Sequence, residues 1–150
     1  MMLLVKKLFF SFKVLKISNI ISFIDKPFYH YVNYPNSQSK KGNDDPWGDV
    51  CNKIEHHLTE NHLLEQYKST LNSFRFTALV VSIYRKTQNY KFIEALNQSK
   101  KGLSIFRKTY GFELDKDSLE NRVRYLIPLA KMNFVVAFVV IAKIKSIFKQ

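Results

Sequence analysis

The chain sets 24 Lys and Arg against 12 Asp and Glu over 150 residues, a formal net charge of +12, and 46% of its residues are hydrophobic. That apolar share, with 15% aromatics and only four Gly and four Pro, suffices for a core and excludes a pervasively disordered or low-complexity chain. A single cysteine, Cys51, excludes an intrachain disulfide framework and a multi-cysteine zinc site, so the chain reads as one not built for an oxidising compartment.

In chain order, residues 1–17 place Leu4, Val5, Leu8, Phe9, Phe12 and Leu15 at helical spacing with Lys6, Lys13 and Lys16 opposite, which predicts an amphipathic helix. The lysines interrupt the apolar run and no small-residue cleavage site follows, which argues against a secretory signal. Residues 20–24 are short and β-branched, Asp25-Lys26-Pro27 punctuates, and 28–32 follow. Two short strands are expected, with Tyr29 and Tyr31 on one face of the second and Phe28, His30 and Val32 on the other. Residues 33–45 are almost entirely loop formers and divide the chain into 1–43 and 44–150.

Beyond that loop, Asp45 caps and Pro46 opens a helix whose stripe is Trp47, Val50, Cys51, Ile54 and Leu58. A second helix over 61–86 carries Leu64, Tyr67, Leu71, Phe74, Ala78 and Val81 on one face, and the two should pack together. Two shorter helices are expected at 90–98 and 103–110, the latter closed by Gly111. Asp117-Ser118-Leu119-Glu120 resembles a capping box opening a further helix that ends at Pro128. The fold class expected is mainly α with a short β pair.

Charge is segregated along the chain. Residues 1–43 hold seven basic residues and one acidic, 44–84 three and six, and 85–150 fourteen and five. Basic blocks of this kind attract phosphates of nucleic acid, anionic lipid or a lipid-linked diphosphate, and composition does not choose among them. The last segment, 132–150, has its densest apolar run between Lys131 and Lys143, too short for the roughly 20 residues a spanning helix needs. It suits either a helix lying in the headgroup layer, with Phe134, Phe138, Ile141 and Phe148 down, or a helix buried against a core. Nucleic acid is the least favoured partner, because the lysines alternate with apolar faces rather than exposed aromatics.

Side chains with reactive chemistry are few. His56, His57 and His62, with Glu60 between them, match no ligand spacing and read as solvated surface residues. Cys51 falls on the apolar stripe of its helix, Asp44-Asp45 is explained by helix capping, and neither a nucleophile elbow nor a glycine-rich phosphate loop is present.

Residues 22–32, Ser-Phe-Ile-Asp-Lys-Pro-Phe-Tyr-His-Tyr-Val, followed by Asn36-Ser37-Gln38-Ser39, resemble the strand and serine loop that end the catalytic domain of bacterial family 2 glycosyltransferases of GT-A type. The amphipathic helix before that strand is similar to the one following the family's Glu-Asp motif, and the helices after it, with Tyr67-Lys68 and a basic end, are similar to the family's variable tail. Gln38 departs from the apolar residue common between the two serines. The resemblance implies transfer of a sugar from a nucleotide-diphosphate donor to a glycan or lipid-linked acceptor, in surface polysaccharide synthesis, with Mg²⁺ or Mn²⁺ as cofactor. It further implies substrate contacts from Tyr29, His30, Tyr31, Ser37 and Ser39, whose hydroxyls and imidazole can donate to a diphosphate or acceptor. It places the protein in the cytoplasm, against the inner face of the membrane. The nucleotide-binding sheet, its Asp-x-Asp motif and the Glu-Asp base are read as missing. The chain is therefore expected to be the C-terminal remnant of a longer enzyme, with no transfer activity alone and no metal site of its own.

Overall fold

The computed structural model describes residues 47–147 and, before them, positions 14, 17, 18 and 20. The chain divides into two compact units, Met1–Asn43 and Asp44–Gln150. Of the first, Val14 and Ile17 lie in helical turns and the Ser18 hydroxyl donates to the Val14 carbonyl at 2.7 Å. The rest of the predicted first helix, both expected strands past Ile20, and Tyr29, His30, Tyr31, Ser37 and Ser39 lie outside the described residues.

The described part of the second unit is mainly α, with helices α1 (Gly48–Glu60), α2 (Leu64–Asn89), α3 (Phe92–Thr109), α4 (Asn121–Arg124), α5 (Ile127–Lys131) and α6 (Val135–Ile147), and it contains no strand among these residues. α2 is the hub: α1, α3 and α6 all pack against it, α3 also meets α6, and α5 meets α6.

The α1 stripe behaves as its spacing dictates. Val50, Cys51 and Leu58 are buried, and Trp47 meets Phe74 of α2 edge-on with ring centroids 5.8 Å apart. Its start differs from expectation. Trp47, not Asp45, occupies the cap position and supplies no side-chain bond, while Asp45 and Pro46 lie outside the described residues. α1 ends where His62 adopts a left-handed backbone (φ 55°), which returns the Leu63 N–H to the Leu58 carbonyl at 2.8 Å. Histidine is among the few residues that enter this region readily, so the backbone, not metal chemistry, accounts for His62.

α2 was expected to bury one stripe and buries more. Leu71 and Ala78 are inside, but Tyr67 is exposed and Leu64, Phe74 and Val81 are only half-buried. The face built on Phe76 and Ile83, with Leu79 and Val80 against it, forms the main core instead. A helix surrounded on three sides spreads its apolar residues over several faces, and a single 3.6-residue stripe then underreports them.

Residues 92–109 form one helix where two were expected. The apparent break, Ser99-Lys-Lys-Gly102, is helical because Ser99 is fully buried and Gly102 lets α2 approach closely: a Cβ at Gly102 would lie 3.2 Å from Leu79 Cδ1. Helical Gly costs about 1 kcal/mol relative to Ala, an amount the fully buried Ala95 and Leu103 on the same helix readily outweigh. Gly111 does close this helix, at φ +67°, with its N–H reaching the Phe106 carbonyl at 3.3 Å. Phe76, Phe106 and Phe112 then stack in tilted and edge-on pairs 5.6 to 6.2 Å apart.

The expected capping box at 117–120 is a turn. Asp115 is its centre: one carboxylate oxygen accepts from Thr70 Oγ1 at 3.1 Å and from the Ser118 hydroxyl, the other from the Asp117 N–H at 3.0 Å. Ser118 is thus spent on Asp115, and α4 starts at Asn121 without a side-chain cap. Pro128 does not end that helix but sits in the first turn of α5, where a missing N–H is harmless. Arg107 of α3 donates to the Ala130 and Lys131 carbonyls at 2.8 and 2.9 Å, placing a cation on the C-terminal end of α5.

The Ser118 hydroxyl chiefly, with the Asp117 N–H and Thr70, holds the Asp115 carboxyl below its ordinary value of 3.8 against the opposing pull of burial. A carboxyl lowered on folding stabilises above its unfolded pKa and loses that contribution as pH falls through the folded one. The stability advantage of the wild type over Asp115→Asn is therefore expected to be full near pH 7 and to shrink as pH falls through 3.8 and below. Denaturant midpoints of both proteins across that range check it; an advantage that grows in acid would contradict it.

Candidate functional site

Between α1, α2 and α3 lies a cleft of about 410 Å³, a size usual for small-ligand sites. α2 contributes Arg75, Ser82 and Lys86, α3 contributes Lys101 and Gly102, and Cys51 of α1 closes one side. Ala78, Leu79, Ile105 and Phe106 make part of the wall apolar, and no carboxylate lines it.

Arg75 is the side chain that geometry singles out. It is only 6% exposed, its Nη2 donates to Glu55 Oε2 at 2.6 Å, and its guanidinium carbon lies 4.0 Å from the centroid of the Tyr110 ring. Its Nε has no hydrogen-bond partner among the described residues. Burying a guanidinium is costly unless its donors are used. Lys86 is half-buried and Lys101 exposed at the same cleft. Together these cations suit an anion that also presents an apolar surface.

A second surface feature is the outer face of α6. Val135, Phe138, Val139 and Ala142 are buried against the core, so Phe138, which faces the membrane in one of the two readings of this segment, is a core residue, as the other has it. The opposite side remains apolar: Met132, Val136, Val140 and Ile144 recur every four residues and are 65%, 49%, 39% and 48% exposed, with Phe134, just before the helix, at 51%. Residues 121–150 contain no Asp or Glu and six Lys or Arg. No helix among the described residues is long and apolar enough to cross a membrane. Asn133, at φ 60°, ends the turn before α6 and explains why the run counted from Lys131 is broken.

His56 and Glu60 pair at 3.4 Å with both side chains mostly in solvent, 75% and 58% exposed. No group of three or more His, Cys, Asp or Glu converges among the described residues. The sequence does hold one literal Asp-x-Asp, Asp115-Lys116-Asp117, which the motif reading passed over. It does not fit a divalent cation: Asp115 is engaged by Thr70, Ser118 and the Asp117 N–H, and the fully exposed Asp117 side chain faces Arg124 at 3.8 Å. No metal step is derived from it.

Neither Arg75 nor the cleft was visible in sequence reasoning. The one available signal was a charged residue placed within a run of helical core positions, Phe74-Arg75-Phe76. No family model matches the chain, and comparison with curated proteins and with solved structures finds no match.

Proposed function

We propose that the chain is the C-terminal portion of a family 2 glycosyltransferase, residues 1–43 ending the catalytic domain and 44–150 forming a helical tail. The enzyme would transfer a sugar from a nucleotide-diphosphate donor to a glycan or lipid-linked acceptor, in the cytoplasm at the inner membrane face, with Mg²⁺ or Mn²⁺ held by an Asp-x-Asp of the nucleotide-binding sheet that the resemblance implies. The observation that carries this reading is the run of residues 22–39, with its Pro-aromatic-Tyr-x-Tyr core and Ser37-Gln38-Ser39 loop, followed directly by a helical unit. Tyr29, His30, Tyr31, Ser37 and Ser39 are its proposed substrate contacts. Fold analogy does not by itself establish chemistry, so activity is the test. Incubated with nucleotide sugars, Mn²⁺ and candidate acceptors, the purified chain is expected to release no nucleoside diphosphate above background; sustained turnover would contradict the assignment of donor and metal binding to a missing sheet.

A second reading, a small basic helical protein docked on anionic membrane, is favoured by the exposed α6 stripe. Apolar side chains flanked by cations, with no acidic residue over 121–150, fit the headgroup layer. The two readings are compatible, since a lipid-linked acceptor lies at that same surface. Flotation with vesicles containing phosphatidylserine is expected to recover the wild type, and Val140→Glu with Ile144→Glu to reduce binding by at least about tenfold. Equal flotation of wild type and variant, or indifference to lipid charge, would contradict membrane docking through α6.

A further inference from the structure

We propose that the cleft between α1, α2 and α3 binds the phosphate or diphosphate group of an amphiphilic ligand, its charged end at Arg75, Lys86 and Lys101 and its apolar part along Leu79 and Ile105. This inference stands apart from the glycosyltransferase reading, because it uses none of residues 1–43 and no sugar chemistry.

Four observations carry it. Three cations from two helices line one concavity and no carboxylate among the described residues does; Glu55, behind the wall, offsets Arg75, and Lys86 and Lys101 leave a local potential that favours an anion. Arg75 is buried yet underused: Glu55 takes Nη2, while the Nε–H is left without a partner among the described residues. Leaving a buried donor unsatisfied is unfavourable, and such groups in native folds call for an explanation of this type. The Tyr110 ring, 4.0 Å from the guanidinium carbon, fixes the plane of the fork before any ligand arrives. Gly102, which lines the same cleft, lets Leu79 pack so closely that a Cβ there would stand 3.2 Å from Leu79 Cδ1, which sets an apolar wall directly beside Lys101.

The shape of the wall decides between a bare anion and an amphiphile. A site for inorganic phosphate alone would be small and polar throughout, whereas Ala78, Leu79, Ile105 and Phe106 give this cleft an apolar side. Nucleic acid is the weaker fit, because a cleft of about 410 Å³ admits a single ligand group rather than a tract of backbone.

The full chain is titrated by isothermal calorimetry with decyl phosphate below its micellar concentration, with inorganic pyrophosphate and with uncharged decyl maltoside. Decyl phosphate is expected to bind tightest, pyrophosphate more weakly and in a strongly salt-dependent manner, and decyl maltoside not at all. Lys86→Gln combined with Lys101→Gln is expected to weaken both charged ligands by at least about tenfold. These lysines lie outside the buried core, and unchanged circular dichroism and melting confirm that the variant is folded. Ile105→Ala, which removes a half-exposed apolar side chain from the wall, is expected to weaken decyl phosphate more than pyrophosphate. Equal binding by wild type and the double lysine variant, or equal binding of decyl phosphate and decyl maltoside, would overturn the anion site. Equal binding of pyrophosphate and decyl phosphate would overturn the apolar half of the assignment.

Discussion

Phe76→Ala is expected to remove about 3–5 kcal/mol from the stability of the helical unit. Phe76 is fully buried on the hub helix α2 and touches Phe106 and Phe112, with ring centroids 5.6 and 6.2 Å away, so truncation opens a cavity where α2, α3 and the following turn meet. The cost has two parts, the lost transfer energy of the ring and the void that a helix fixed on three sides cannot collapse into. Against a total of about 5–15 kcal/mol for a domain of this size, the loss should lower the melting temperature by more than about 10 °C. Ile93→Ala, at a side chain 72% exposed, is the control and should stay within about 0.5 kcal/mol of wild type. Urea melts followed by circular dichroism separate them; a Phe76→Ala loss below about 1 kcal/mol would mean that this packing is not the core.

Glu55→Ala should cost more than Arg75→Met, although Arg75 is the more buried of the pair. Removing Glu55 leaves a guanidinium that is 6% exposed without its countercharge, whereas removing Arg75 leaves a carboxylate whose side chain is 40% exposed and can rehydrate. A fully buried pair broken on one side costs about 3–5 kcal/mol. Access of water to Glu55 reduces this to about 1–3 kcal/mol for Glu55→Ala. Arg75→Met keeps apolar contact with Tyr110 and should cost under about 1 kcal/mol. The double variant should resemble Arg75→Met, and a double-mutant cycle by chemical denaturation measures the difference. Additive single effects would show that the 2.6 Å contact contributes no coupling.

The helices that carry this pair, α1 and α2, show where sequence reading succeeds and fails. α1 was legible because one face is buried and one is wet, so Val50, Cys51 and Leu58 recur at the helical period. α2 was found as a helix, but its principal face was not, because three neighbours bury Phe76, Ile83, Ser73 and Thr87 around the circumference. Gly102 reads as a break in any local account, and only the approach of Leu79 from another helix makes it a packing residue. Ser118 reads as a cap by spacing, yet its hydroxyl donates to Asp115, a carboxylate also held by Thr70, which is remote in sequence. The candidate cleft was hidden for the same reason: Arg75 and Lys86, about three turns apart, share a face of α2, but Lys101 lies on α3, and the two helices must pair before all three face one space. Gly111 shows the opposite case, a backbone requirement satisfied by the residue itself and therefore readable without the fold.

The claim that most of the functional reading rests on is that residues 22–39 close a glycosyltransferase catalytic domain. Determining the nucleotide sequence of the gene immediately upstream of codon 1 tests it most directly. The expected result is continuous coding for an α/β sheet bearing an Asp-x-Asp and, shortly before Met1, a Glu-Asp. Upstream sequence that encodes neither motif in any reading frame would contradict the claim and leave a basic helical unit with a cation-lined cleft and an apolar α6 face.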